Sequence, residues 1–426
     1  MSSTPSNRTR AARQSSPHRN HDVYVRRVHN LVLQLNGDRD WSAGPASNPR
    51  NALSKIRALL TDKVDPVFSS LSDDLPDSGY LLEDDELVGV VLEDLDCFSM
   101  TCEAVGRTAS NLGLYSDLDD RLYAMWPHAL KWLAFFHPGN GRIRCPTAAS
   151  HRHFVLGSLA LIYLLIFQTN RGHVKRLLVE RPDMLHPIFD LWLKFPQYVP
   201  PVAGQSKFDP IDTIHNILKA VACIYNLVAG WDNSHNQRGA RSITINGDDA
   251  RDIFIRELRR HVRGKGGLHV HFAKRNQYLL ELPMPPHLAE GTWHTHLEQQ
   301  IHILNLPAFQ LDVAPRSFLR SVVSSGNHCI QRGWHECALR AVAVVIVVCE
   351  ASSSNRTLRR CIEAGAYDLL LAAAKISEGD RAVQSLSYKL SIGLAQQSLL
   401  RAFHRMHGDR FVYPEKLSRD PKQASY

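Results

Sequence analysis

Two apolar stretches constrain most strongly what this chain can fold into. Residues 154–167 read FVLGSLALIYLLIF and run into QTNRGHVKRLLVERPDML; residues 339–349 read LRAVAVVIVVC and run into EASSSNRTLRRCIEAGAYDLL. Aligned on their downstream parts, residues 174–185 and 357–370 share one plan. Each has basic residues, an apolar cluster, Val-Glu or Ile-Glu, a helix breaker (Pro182 or Gly365), and then a new apolar run. That order predicts a buried helix, a polar turn, a short helix, a sharp bend and a third helix, used twice. Repetition of one helical unit points to stacked elements, each burying its apolar face against its neighbours.

Such an array can outgrow an ordinary domain, so 426 residues need not imply several domains. With 44% hydrophobic and 22% charged residues, the composition is that of a globular chain with ample core material. Neither apolar run reads as a membrane span. The first is fourteen residues long, short of the roughly 18–20 needed, and Arg340 stands at the head of the second. The eight cysteines contain no C-x-x-C pair and mostly sit within apolar helical patterns. With no signal-peptide pattern at residue 1, they are expected as reduced thiols in an intracellular, cytoplasmic or nuclear protein.

Along the chain, residues 1–21 are almost without apolar content and are expected as a disordered basic tail. Residues 22–407 are expected as one helical array. It is interrupted by an acidic, turn-rich loop at about 69–86, a Pro/Gly linker at about 196–210 and a basic region at about 238–275. Val25, Val28, Leu31, Val32 and Leu35 form one helical stripe. Asp117, Asp119 and Asp120 suit the positive end of a helix with an apolar face of Leu122, Trp126, Leu130, Trp132 and Leu133. Pro127 predicts a kink or break within it. Residues 185–195 should form a helix closing at Pro196, and 211–231 a third strongly apolar helix. The stretch GKGGLHVHFAKRNQYLLELPMPPHL (264–288) is expected to include a short extended segment, and residues 369–376 and 382–406 to close the array. Residues 408–426 are expected as a polar, frayed tail.

Charge is unevenly spread. The formal net charge is +8, yet residues 73–96 carry ten Asp or Glu and no Lys or Arg, whereas residues 238–275 carry ten Lys or Arg against four Asp or Glu. In the basic region Ile253, Phe254, Leu258 and Val262 predict an inward helix face with arginines outward. Arg251, Arg256, Arg259, Arg260, Arg263 and Lys265 are therefore the candidate contacts for a polyanion or an acidic partner. No interleaved aromatics accompany them, as single-strand binding would want, so a solvated face balancing the acidic stretch is the favoured reading.

Catalytic motifs are not apparent: Gly264-Lys265-Gly266-Gly267 lacks the spacing and the Ser/Thr of a phosphate loop, and neither G-x-S-x-G nor H-E-x-x-H occurs. His269 with His271, and His294 with His296, would share a face only if extended. His328, Cys329, His335 and Cys337 are close in sequence but lack the tight pairing of zinc modules. No metal, no cofactor and no catalytic residue is assigned.

CIEAGAYDLLLAAAK (residues 361–375) resembles the second and third helices of an armadillo repeat, with Gly365 at the bend glycine and Pro182 in its place in the earlier copy. The run LLVERPDMLHPIFDLWLKF, after Met125-Trp126-Pro127 and KWLAFFHP, resembles more loosely the helical region of fungal MYND-finger proteins; the finger's C-x-x-C and H-x-x-x-C are missing, so no zinc is carried over. The armadillo resemblance implies an all-α, armadillo-like right-handed superhelix of stacked helices. Its implied function is a non-catalytic protein–protein interaction scaffold whose partner and oligomeric state the sequence does not name. The alternative is a nucleic-acid-associated protein using residues 238–275.

Overall fold

A computed structural model describes residues 18–36, 49–61, 68–76, 81–82, 85–112, 116–144, 149–169, 171–199, 210–228, 247–262, 264, 266–352 and 354–408. The described residues are nearly all helical, an all-α protein, and their contacts divide the chain into two compact units, Met1–Leu177 and Leu178–Tyr426.

The first unit contains α1 (His18–Asn36), α2 (Pro49–Leu60), α3 (Ser69–Ser72), α4 (Glu86–Leu112), α5 (Ser116–Phe135) and α6 (Ala149–Thr169), and the boundary falls inside α7 (Arg171–Glu180). Helix α4 is its hub, packing on α1, α3, α5 and α6 through Val88, Val91, Leu95 and Phe98, all buried. The apolar run 154–167 lies in α6, where Leu159, Ile162, Tyr163, Ile166 and Phe167 are fully buried. Helix α5 opens with Asp117 and Asp119 in its first turn, as the sequence suggests. It is not broken at Pro127: the helix runs through it to Phe135. The lost hydrogen bond is outweighed by the burial of Trp126, Leu130, Trp132 and Leu133 on the same helix, each large side chain contributing about 1.5–3 kcal/mol.

Where it is described, the acidic stretch carries regular structure. Its start forms α3, and Leu81–Leu82 pairs in parallel with Ile143–Arg144. Asp94 is buried and accepts a hydrogen bond from the Ser70 hydroxyl, while the Trp132 indole donates to the Leu71 carbonyl at 3.2 Å. Of the expected N-terminal tail, residues 1–17 lie outside the described residues, whereas His18 already opens α1. The C-terminal tail from residue 409 and the core of the linker, 200–209, also lie outside them.

The second unit contains α8 (His186–Tyr198), α9 (Pro210–Val228), α10 (Gly247–His261), α11 (Gly267–Glu281), α12 (Pro286–Leu304), α13 (Arg316–Gln331), α14 (His335–Ala351), α15 (Asn355–Glu363), α16 (Ala366–Ile376), α17 (Arg381–Leu394) and α18 (Gln397–His407). These pack as two rows. In one, α8 lies on α11, α11 on α13, and α13 on α16; in the other, α9 lies on α12, α12 on α14, and α14 on α17. Cross-ties α8–α9, α13–α14 and α16–α17 join the rows, and the short helices α10 and α15 sit beside them. The row residues are the apolar positions of the sequence pattern: Phe189, Phe272, Phe318 and Leu369 in the first, Ile217, Trp293, Val345 and Leu386 in the second, all fully buried.

The bends between helices have distinct causes. Gly365 separates α15 from α16 at φ +90, a left-handed conformation that L side chains rarely adopt. At the earlier copy, Pro182 instead opens a 3-10 turn, Pro182–Leu185, so that bend is spread over four residues before α8. Helix α8 does not close at Pro196; it continues to Tyr198 across a kink at Lys194, whose φ and ψ are non-helical. The last region expected to close the array, 382–406, is two helices, turned apart at Ala395 and Gln396. No single helix among the described residues is long and apolar enough to cross a membrane; residues 155–168 of α6 and 172–180 of α7 meet both conditions only as a pair, bent by 107°.

Candidate functional site

The basic helix α10 folds as its pattern predicts. Phe254, Leu258 and Val262 are buried, Ile253 is half-buried, and Arg251, Arg256, Arg259 and Arg260 are exposed; Arg263 and Lys265 lie outside the described residues. Three of these arginines are committed locally. Glu257, fully buried, accepts from Arg256 Nε at 2.9 Å on one oxygen and from Arg260 Nη1 at 2.7 Å on the other, which also meets His186 Nε2 at 2.8 Å. Burial pushes this carboxyl up, but the bonds from His186 and Arg256 and the charge of Arg260 outweigh it and hold it below the usual value. Arg259 Nη2 donates to the Ala308 carbonyl at 3.0 Å. The helix therefore commits much of its positive charge to one buried carboxylate, Glu257.

The stretch expected to be partly extended is instead largely α11, a continuous helix, because Leu268, Phe272 and Leu279 recur at helical spacing and fill the row between α8 and α13. This separates the H-x-H pairs. His269 is buried edge-on to Phe318, 5.0 Å between ring centres, and desolvation lowers its imidazole to about 4. His271 Nδ1 is 3.2 Å from the Leu193 carbonyl. On α12, His294 Nε2 meets Glu336 at 3.1 Å, while His296 is fully buried. Among the described residues no group of three or more His, Cys, Asp or Glu is placed to hold a metal ion.

His296 belongs to a buried polar network between the rows. Arg275, also fully buried, donates from Nη2 to His296 Nδ1 at 3.0 Å, which leaves the other ring nitrogen, Nε2, to donate to Asn276 Oδ1 at 2.7 Å. Asn276 Oδ1 also accepts from Gln300 at 2.9 Å, and its Nδ2 donates to Ser321 at 3.0 Å. The Arg275 guanidinium lies 4.5 Å from the centre of Trp192, 4.9 Å from Phe195 and 5.4 Å from Phe272. Aromatic faces thus supply the stabilisation a carboxylate would otherwise give. In the sequence, Lys274-Arg275 was indistinguishable from the other basic residues; only the helical register of Phe272, Arg275 and Leu279 marks the arginine as inward.

The second unit carries a groove of about 440 Å³ between the end of α14, the start of α15, and α17. Tyr388 and Ile392, one turn apart on α17, line it with 69% and 53% of their surfaces exposed, unusual for large apolar groups on a packed helix. Glu350 and Lys389 put both charges on its walls, and Ser352, Asn355 and Gln396 supply hydrogen-bonding groups. Gly393 lets α17 come close: a Cβ there would collide with Leu358 of α15. The sequence did not reveal this groove, because Tyr388 and Ile392 fit the apolar periodicity of a core helix. No protein-family model, curated protein or solved structure matches the chain.

Proposed function

We propose that this protein is a non-catalytic protein–protein interaction scaffold, with its second unit an armadillo-like right-handed superhelix. The two-row packing of α8, α11, α13 and α16 beside α9, α12, α14 and α17 carries the reading. It is what repeated short-helix and long-helix units would produce if each stacked on the one before. The looser likeness to the helical region of fungal MYND-finger proteins enters the same proposal, as a helical array without its finger. The partner contributes an extended polypeptide segment with an apolar anchor: Tyr388 and Ile392 offer apolar surface, Asn355 and Gln396 offer amide groups to a peptide backbone, and Glu350 and Lys389 fix polarity. The nucleic-acid reading is weaker, since Arg256, Arg259 and Arg260 already hold protein acceptors.

The test compares the full chain with Tyr388→Glu/Ile392→Glu. Both side chains are exposed, so thermal unfolding should move little. A binding protein retained by the wild type and lost from the double variant supports the proposal; equal retention by both refutes the groove's role. Sub-micromolar binding of RNA or DNA by the wild type near physiological salt would overturn the scaffold reading in favour of the alternative.

A further inference from the structure

A pair of thiols stands at the wall of the groove. Cys349, in the last turn of α14, lines it and is 8% exposed, while Cys361 on α15 is fully buried behind it. Their sulfurs are 3.5 Å apart. A disulfide needs about 2.05 Å, so bond formation requires an approach of only about 1.5 Å, across a turn between two adjacent helices. Another interacting thiol pair, Cys329 and Cys337, is fully buried at both residues, so it serves as an internal reference.

We propose that Cys349 and Cys361 form an oxidisable thiol pair, in which Cys349 is attacked from the groove by a hydroperoxide and Cys361 is the resolving thiol. The local groups favour that division of labour. The two thiols share a hydrogen bond, and this contact, with burial and the Glu350 carboxylate opposing and the Lys389 ammonium assisting, holds the Cys349 thiol below its ordinary value. The same contact and burial push Cys361 well above it. The thiolate is the nucleophile, so Cys349 is the sulfur prepared to react first. In the first step the Cys349 thiolate attacks one peroxide oxygen, the O–O bond breaks, and the leaving alkoxide or hydroxide takes up a proton. Sulfur loses two electrons to become a sulfenic acid, and the peroxide gains them. In the second step the Cys361 sulfur attacks the sulfenic sulfur; the S–O bond breaks, and water leaves with the Cys361 proton. In sum, two thiols and one hydroperoxide give one disulfide, one alcohol (or water) and one water. The bond would tie the end of α14 to α15 and so alter the groove, whichever partner the groove takes.

The experiment treats the full chain with hydrogen peroxide and maps each cysteine by differential alkylation and mass spectrometry. The expected result is a linked Cys349–Cys361 peptide, formed at least about tenfold faster than any oxidation of Cys329 or Cys337. In Cys361→Ser the reaction should stop at a Cys349 sulfenic acid that dimedone captures. If serine at the buried site impairs folding, the wild-type map alone decides. Cys349 remaining reduced while other cysteines oxidise, or a disulfide with another pairing, would overturn the proposal.

Discussion

Replacing Gly365 isolates the bend on which the helical unit depends. The residue ends α15, its N–H donating to the Ile362 carbonyl at 3.0 Å, and begins α16, its carbonyl accepting from Leu369 at 3.2 Å, while φ stands at +90. A Cβ built there finds only Val323 Cγ1, at 3.7 Å, an ordinary contact. Packing therefore adds little, and the cost is conformational. Holding an L-residue in a left-handed conformation costs about 1–2 kcal/mol. Alanine recovers about 0.4–1 kcal/mol of that by restricting the unfolded chain, leaving a net loss of about 1 kcal/mol. Valine, branched at Cβ, should lose about 2–3 kcal/mol, and asparagine, which tolerates this region, less than alanine. Urea unfolding followed by circular dichroism gives the midpoints, with the m-value held constant as the check on comparison. Amide exchange in α15 and α16 confirms where the loss arises. An unchanged midpoint for Gly365→Val, or a larger loss for asparagine than for valine, would refute the reasoning and imply that α15 and α16 can join without the bend.

Two other glycines should respond in opposite directions. Gly89 in α4 has nothing within 4 Å of an added Cβ, so Gly89→Ala should raise stability by about 0.5–1 kcal/mol. Gly326 in α13 would set a Cβ 2.7 Å from Leu369 and 3.1 Å from Ala341, so Gly326→Ala should lose about 1–3 kcal/mol by overpacking, against a smaller helix-propensity gain; thermal unfolding of both variants checks the pair. Acidification should destabilise the fold through buried His269. Its folded value of about 4 lies below the ordinary 6.5, so the stability present above pH 6.5 is lost as pH falls toward 4, and His269→Leu should flatten that part of the stability profile. Glu257→Gln should weaken the second unit by about 1 kcal/mol at neutral pH, discounted because its arginine partners are more than half exposed. It should also remove a loss of stability that the wild type shows as pH falls below about 4.5, since the folded carboxyl is the one held low.

What the sequence showed best was periodicity over long stretches. The runs 154–167 and 339–349 are buried helices, and Gly365 is a bend, because apolar spacing and a glycine requirement are local properties. Where tertiary packing overrode local chemistry, reading failed. Pro127 does not break α5, whose aromatic face outweighs one lost bond; Pro196 sits just past the kink at Lys194, where a proline is tolerated and the chain resumes a last helical turn; and the H-x-H stretch is a helix because Phe272 fills a row. The arginine face of α10 was legible, yet its partner Glu257 was not, since one carboxylate in a basic helix gives no sign that it is buried. The groove was invisible for the converse reason: Tyr388 and Ile392 carry a core pattern, and only the position of α17 on the last turn of α14 and on α15 leaves them uncovered.

An experimental structure of the full chain tests the central claim most directly. The account predicts that α8, α11, α13 and α16 form one continuous row and α9, α12, α14 and α17 the other, with each successive pair turned in a right-handed sense. A left-handed progression, or a row interrupted so that α13 does not rest on α11 or α14 does not rest on α12, would contradict the armadillo-like scaffold and the function built on it.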